Sequence, residues 1–204
     1  MKAWALLLGI YGVFVYWYTS FQGPLSEAEI ETYLAALREA GGNDERLALW
    51  RAFMESDTGD DFVMINVVDL RDRPLAMEGV SPDETAADVL ARYTAPFLGA
   101  AIRSAAHPIL YGNAAAPALD LWGIDGAERW SNGGLVRYRS RRDLMDQVVR
   151  TSRLDIHEFK IAAMEKTIAY PLDPWWHLGD PRLLLALVLG CIGFGLQARG
   201  ARGR

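Results

Sequence analysis

The chain has 204 residues, of which 51% are hydrophobic and 23% charged, with a formal net charge of −5. An acidic balance argues against a nucleic-acid partner, because phosphate backbones are held by Lys and Arg. The single cysteine, Cys191, excludes an intrachain disulfide and any CxxC metal or redox motif.

Apolar residues gather at the two ends. A helix rises ~1.5 Å per residue, so ~20 apolar residues cross a ~30 Å hydrocarbon core. Residues 3–21 (AWALLLGIYGVFVYWYTSF) carry no charge over 19 positions. Tyr16, Trp17, Tyr18 and Phe21 collect at the far end, where amphipathic rings favour the headgroup layer. The following YWYTSFQGP is a poor signal-peptidase site, so this segment reads as an uncleaved transmembrane helix. Residues 183–198 (LLLALVLGCIGFGLQA) are shorter, 16 positions between Arg182 and Arg199. Arg182 can snorkel, Trp175 and Trp176 suit the headgroup layer, and Gly190, Gly193 and Gly195 suit close contact between membrane helices. Lys2 precedes the first segment, and Arg199, Arg202 and Arg204 follow the second. The positive-inside rule then puts both termini in the cytoplasm and the middle outside. In a bacterium this is an inner-membrane protein with a periplasmic domain, whose own charge is about −9 once the tails are set aside. The bilayer is thus the first expected partner.

Ser26-Glu27-Ala28-Glu29 is a capping-box pattern opening a helix, Gly41-Gly42 ends it, and Asn43 can cap a second. Residues 24–56 are therefore expected to form a helical hairpin. FVMINVVDL (62–70) is a short, almost wholly apolar strand, expected to be central. Ser81-Pro82-Asp83-Glu84 offers another capping box, for a helix running to about Ala105. Short strands follow at Ile109–Gly112 and Trp130–Arg139, the latter with a bulge or turn expected at Gly133-Gly134. Helical stretches at Arg141–Arg150 and Asp155–Glu165 precede a last strand, Thr167–Tyr170, ended by Pro171. Strand, helix, strand, strand, helix, strand is the split βαβ order. It predicts an α+β fold over residues 61–172, a ferredoxin-like antiparallel sheet with helices on one face.

The runs LVRYRSRRDLMDQV and KIAAMEKTIAYP, with FVMINVVDLRD before them, resemble the DUF1330-like proteins of the dimeric α+β barrel superfamily over about residues 61–171. Ser140 stands at the family's helix-opening serine. The resemblance implies two sheets joined back to back, hence a homodimer, in a superfamily that includes small monooxygenases, isomerases and haem enzymes. The added hairpin and apolar ends depart from the short, soluble members.

Candidate chemistry is sparse. His107, His157 and His177 have no metal-ligand spacing. His107 reads as a helix C-terminal residue, and His157, facing the last strand, is the candidate for proton transfer or haem ligation. Asn66 interrupts an apolar strand and needs hydrogen-bond partners, from a ligand or from backbone. Arg137 and Arg139 share a strand face and suit a carboxylate clamp, while Tyr111 and Trp130 are aromatics for the same cavity wall. The acidic SDTGDD (56–61) lacks the calcium-loop pattern and reads as a solvated loop. No motif supports a cofactor, a nucleotide or a metal. The expected role is an accessory or binding subunit of a membrane complex, with a small-molecule enzyme acting on an apolar substrate as the alternative.

Overall fold

The computed structural model describes residues 2–154, 156–175 and 177–202. Trp176, Arg204 and Asp155, the first residue of one expected helical stretch, lie outside the described residues. Four strands, β1 (Phe62–Leu70), β2 (His107–Asn113), β3 (Asn132–Tyr138) and β4 (Met164–Leu172), form an open sheet in the order β2-β3-β1-β4. Every neighbouring pair is antiparallel. The fold is thus α+β with a four-stranded antiparallel sheet, and the apolar strand β1 is central, as its composition predicts.

Seven α-helices accompany the sheet among the described residues: α1 (Lys2–Tyr18), α2 (Glu27–Glu39), α3 (Asp44–Glu55), α4 (Ala86–Ala101), α5 (Arg141–Ser152), α6 (His157–Ala163) and α7 (Pro181–Arg202). The local signals for their starts are largely realised. Ser26 and Glu29 form a reciprocal capping box, Asn43 caps α3 through the Arg46 N–H, and Ser140 caps α5 through the Asp143 N–H. The start of α4 differs from expectation: Thr85 and Asp88 form its capping box, and the Ser81 N–H donates to Glu84 in the turn just before. Both tetrads fit the pattern; the later one wins. β4 continues through Pro171 to Leu172, because an edge strand leaves alternate N–H groups unpaired. The irregularity expected at Gly133-Gly134 falls on the partner strand, between Pro108 and Leu110.

Phe62, Met64, Val136 and Tyr138 point to one face of the sheet, where Trp50 and Phe53 of α3, Phe97 and Ala101 of α4, and Leu144 and Val148 of α5 cover them. The α2–α3 hairpin is no spacer. Ile30, Leu34, Leu37, Leu47 and Met54 pack with Met145 of α5, and Trp50 and Phe53 belong to both clusters, so the core is continuous. The other face is covered at one end, where Val63 and Arg137 are buried, and open beyond it. Register aligns Leu110, Leu135, Ile65 and Tyr170 in one row across all four strands; at its two ends Leu110 is 61% and Tyr170 45% exposed.

The two apolar helices pack antiparallel. Trp4 lies against Gly193, where a Cβ would come within 2.5 Å of its ring, and meets Phe194 edge-on at 5.2 Å. At the opposite end Arg182 Nη1 donates to Thr19 Oγ1 at 3.4 Å. Gly193 thus supplies the close contact expected of the glycines, whereas nothing packs at Gly190 or Gly195. Among the described residues only α7, over Pro181–Ala201, is long and apolar enough to cross a membrane by length and composition. Helix α1 has 17 residues, about 25 Å at ~1.5 Å per residue, short of a ~30 Å core. The described residues thus do not support two flanking transmembrane helices.

Candidate functional site

Between the α2–α3 hairpin and the sheet lies an open cleft of about 570 Å³, lined also by residues of α4, α5 and α6. Its apolar floor includes Trp50, Met64, Phe97 and Leu144. Two of the sequence candidates meet here, Asn66 from β1 and His157 from the start of α6. The Asn66 amide donates to the Met64 carbonyl oxygen at 3.2 Å, so backbone meets part of its need. Tyr93 of α4 joins the cluster: the His157 ring meets it edge-on at 6.1 Å, and Lys160 Nζ stands 5.5 Å over its face. Arg46, in the first turn of α3, lines the opposite side. Tyr138 and Asn43 also reach the cleft.

Burial pushes the His157 imidazole below its ordinary value, and Lys160 and Arg46 push it the same way. Burial, then Arg46, lowers Lys160 as well. Burial raises Tyr93 and Tyr138. Each shift disfavours the charged form in a partly desolvated site. The His157 shift sets a pH dependence. With its folded value below the usual 6.5, the unfolded chain takes up a proton first as pH falls, so stability is full above 6.5 and is lost as pH drops through the folded value. His157→Gln is expected to flatten this acid limb, which thermal melts by circular dichroism between about pH 7.5 and 5 would read.

The other four sequence candidates lie elsewhere. Tyr111 sits on edge strand β2, 69% exposed, its ring filling the space a side chain at Gly134 would need. Trp130 precedes β3 and lies under Lys166 Nζ at 5.0 Å. Arg137 and Arg139 form no open clamp, because each already holds a carboxylate of the chain. Arg139, one residue past β3, pairs with Asp143 at 2.6 Å. Arg137 is buried at the covered end of the otherwise open sheet face, donating to Asp61 Oδ2 from Nε (3.0 Å) and Nη2 (2.8 Å), to the Ala105 carbonyl and to the Tyr18 carbonyl. Its guanidinium lies 3.7 Å over the Tyr18 ring. Arg182 of α7 donates to the same Asp61 oxygen at 3.0 Å. His107 is the first residue of β2 rather than a helix end, hydrogen-bonded to the Tyr18 hydroxyl at 2.7 Å. The SDTGDD segment is structural, not a solvated loop: Asp57 accepts from the Leu25 and Gly59 N–H groups, and Asp61 joins Arg137 of β3 to Arg182 of α7. Among the described residues no three His, Cys, Asp or Glu side chains gather to hold a metal.

Sequence reasoning missed Arg46, Tyr93, Tyr138 and Lys160. Tyr93 reads as a core residue at helical spacing, and nothing local says that α3 and α6 converge.

No family model and no curated protein matches the chain. Solved structures of RPA0582, a protein of unknown function from Rhodopseudomonas palustris, are similar in fold. The methylated protein aligns at 22% identity and a TM-score of 0.53, over 68% of this chain and 96% of that one. A second structure of it aligns at 23% and 0.51, over 67% and 96%.

Proposed function

We propose that this chain is an accessory or binding subunit held at a bacterial inner membrane by α7 together with α1. In this reading both termini are cytoplasmic and the α+β domain is periplasmic. The strand order β2-β3-β1-β4 suits the ferredoxin-like arrangement and the DUF1330-like resemblance over residues 61–171. Leu6, Leu8 and Val13 of α1 and Leu187 and Phe194 of α7 point outward and exposed, which suits lipid. The carrying observation is the uncovered apolar row Leu110–Leu135–Ile65–Tyr170. Such a surface in water favours a protein partner, and back-to-back sheets make a second copy its occupant. Light scattering and chemical cross-linking in mild detergent test this. A dimer or larger assembly that Tyr170→Lys dissociates is expected; a wild-type chain that runs as a lone monomer overturns the reading.

A second reading, a small-molecule enzyme, rests on the meeting of Asn66 and His157 in one cleft. Its test is loss of turnover in His157→Gln against an apolar substrate, with binding retained.

A further inference from the structure

The sheet–helix cleft is lined by basic side chains, Arg46, His157 and Lys160, and, among the described residues, by no acidic one. Among those residues neither Arg46 nor Lys160 forms an ion pair, although thirteen other cation–carboxylate contacts are made across the protein. The buried and half-buried arginines Arg137, Arg139, Arg141, Arg142 and Arg182 each hold a carboxylate, whereas others such as Arg38 and Arg103 hold none among the described residues. Like charges facing a common space repel, and an anion placed between them relieves that cost.

The rest of the lining is apolar or hydroxylic apart from the amides of Asn43 and Asn66. Trp50, Met64 and Phe97 supply a surface for a ligand's body, and the Tyr93 ring lies beneath Lys160. The cleft continues into a second one of about 590 Å³, which shares Arg46, Trp50, Met64 and Ala169 with it and follows β4 to Pro171 and Asp173. That end of β4 precedes the segment leading to α7, and the other end of the trough holds Arg46, His157 and Lys160.

We infer that the cleft binds a small organic acid with an apolar body, its carboxylate placed among Arg46, His157 and Lys160 and its body against Trp50, Met64 and Phe97. The inference rests on the cleft being a ligand site and is independent of whether the domain is a subunit. Arg46 supplies a planar fork and Lys160 a point charge, the donors a carboxylate takes. Asn66, on the floor, has an amide to orient the head group.

Isothermal titration of the full chain in a non-ionic detergent tests this with three probes: 4-phenylbutyrate, its neutral isostere 4-phenylbutyramide, and inorganic phosphate. The acid is expected to bind roughly ten- to hundredfold more tightly than the amide, the difference charge-assisted hydrogen bonds supply. Phosphate is expected to bind more weakly than the acid. Arg46→Gln and Lys160→Gln, changes at groups that hold no carboxylate among the described residues, are expected to bring the acid down to the level of the amide; thermal melts are expected to stay unchanged for Arg46→Gln and to fall only slightly for Lys160→Gln, which loses its contact over the Tyr93 ring. The His157 ring resonances are expected to shift toward the protonated form on saturation with the acid. Equal binding of acid and amide overturns the anionic class but leaves a ligand cleft. Phosphate binding as tightly as the acid overturns the apolar body. Failure of all three probes overturns the ligand cleft itself.

Discussion

Asp61→Asn is expected to destabilise the chain by about 3–5 kcal/mol, the usual cost of removing one partner from a buried ion pair. One carboxylate oxygen of Asp61 receives two hydrogen bonds from Arg137 and one from Arg182. The Arg137 side chain is 3% exposed, so it cannot turn to water when its counter-charge goes. Its remaining acceptors are the Ala105 and Tyr18 carbonyls, which satisfy donors without neutralising the charge. An asparagine keeps the shape but turns an NH2 group or a weaker acceptor toward two guanidiniums. For a chain of this size the loss corresponds to roughly 6–20 °C in Tm, read by thermal melts in detergent. The double variant Asp61→Asn/Arg137→Met is expected to recover part of the loss, since it no longer buries an uncompensated Arg137 charge. Arg139→Gln supplies the contrast. Its bidentate pair with Asp143 is a quarter exposed on the Arg139 side, and its third donor meets the Trp17 carbonyl, so a smaller loss of about 1–2 kcal/mol is expected. Equal losses for Asp61→Asn and Arg139→Gln would show that the junction node has no special weight.

That node also shows where the sequence stops being readable. The capping serines and asparagine were legible because a cap and its partner lie three residues apart, so the chemistry is complete within one turn. The central strand was legible because its apolar run is broken only by Asn66 and Asp69. Asp61 was not, because its partners come from β3 and from the start of α7, 76 and 121 positions away. An acidic run with a glycine looks like a solvated loop until distant arginines arrive. The expected start of α4 at Ser81 failed for the opposite reason: the next tetrad, Thr85 to Asp88, makes the same local hydrogen bonds and caps the helix. Asn66 and His157 could be placed together because strand–helix succession put one on the sheet and the other on the helix facing it. Arg46 and Lys160 could not, since a single cation on a helix carries no mark distinguishing a solvated charge from one that lines a cleft.

Gly59→Ala is the other substitution expected to act strongly, by about 3 kcal/mol, and it probes the same junction through backbone rather than charge. Gly59 has φ +85°, a conformation that costs an L-residue ~1–2 kcal/mol. A Cβ there would stand 2.6 Å from the Gly23 carbonyl carbon, 2.7 Å from its Cα and 2.9 Å from the Pro24 nitrogen. Those are main-chain atoms that no rotamer change can move aside, so the link between α1 and α2 has to shift, adding an overpacking cost of ~1–3 kcal/mol. The shift is opposed, because the Asp57 carboxylate holds the Gly59 and Leu25 N–H groups at 3.0 and 2.9 Å. Gly79 separates the two effects. Its φ is +80°, yet nothing lies within 4 Å of the added atom, so Gly79→Ala is expected to lose only the conformational part, about 1–2 kcal/mol. Chemical denaturation of the two variants side by side reads the difference. A gap of about 1 kcal/mol or more in favour of Gly79→Ala means that the SDTGDD turn is seated against the α1–α2 link, so that α1 leaves the domain in a fixed direction; equal losses mean that the link yields freely and the apolar pair is only tethered to the sheet.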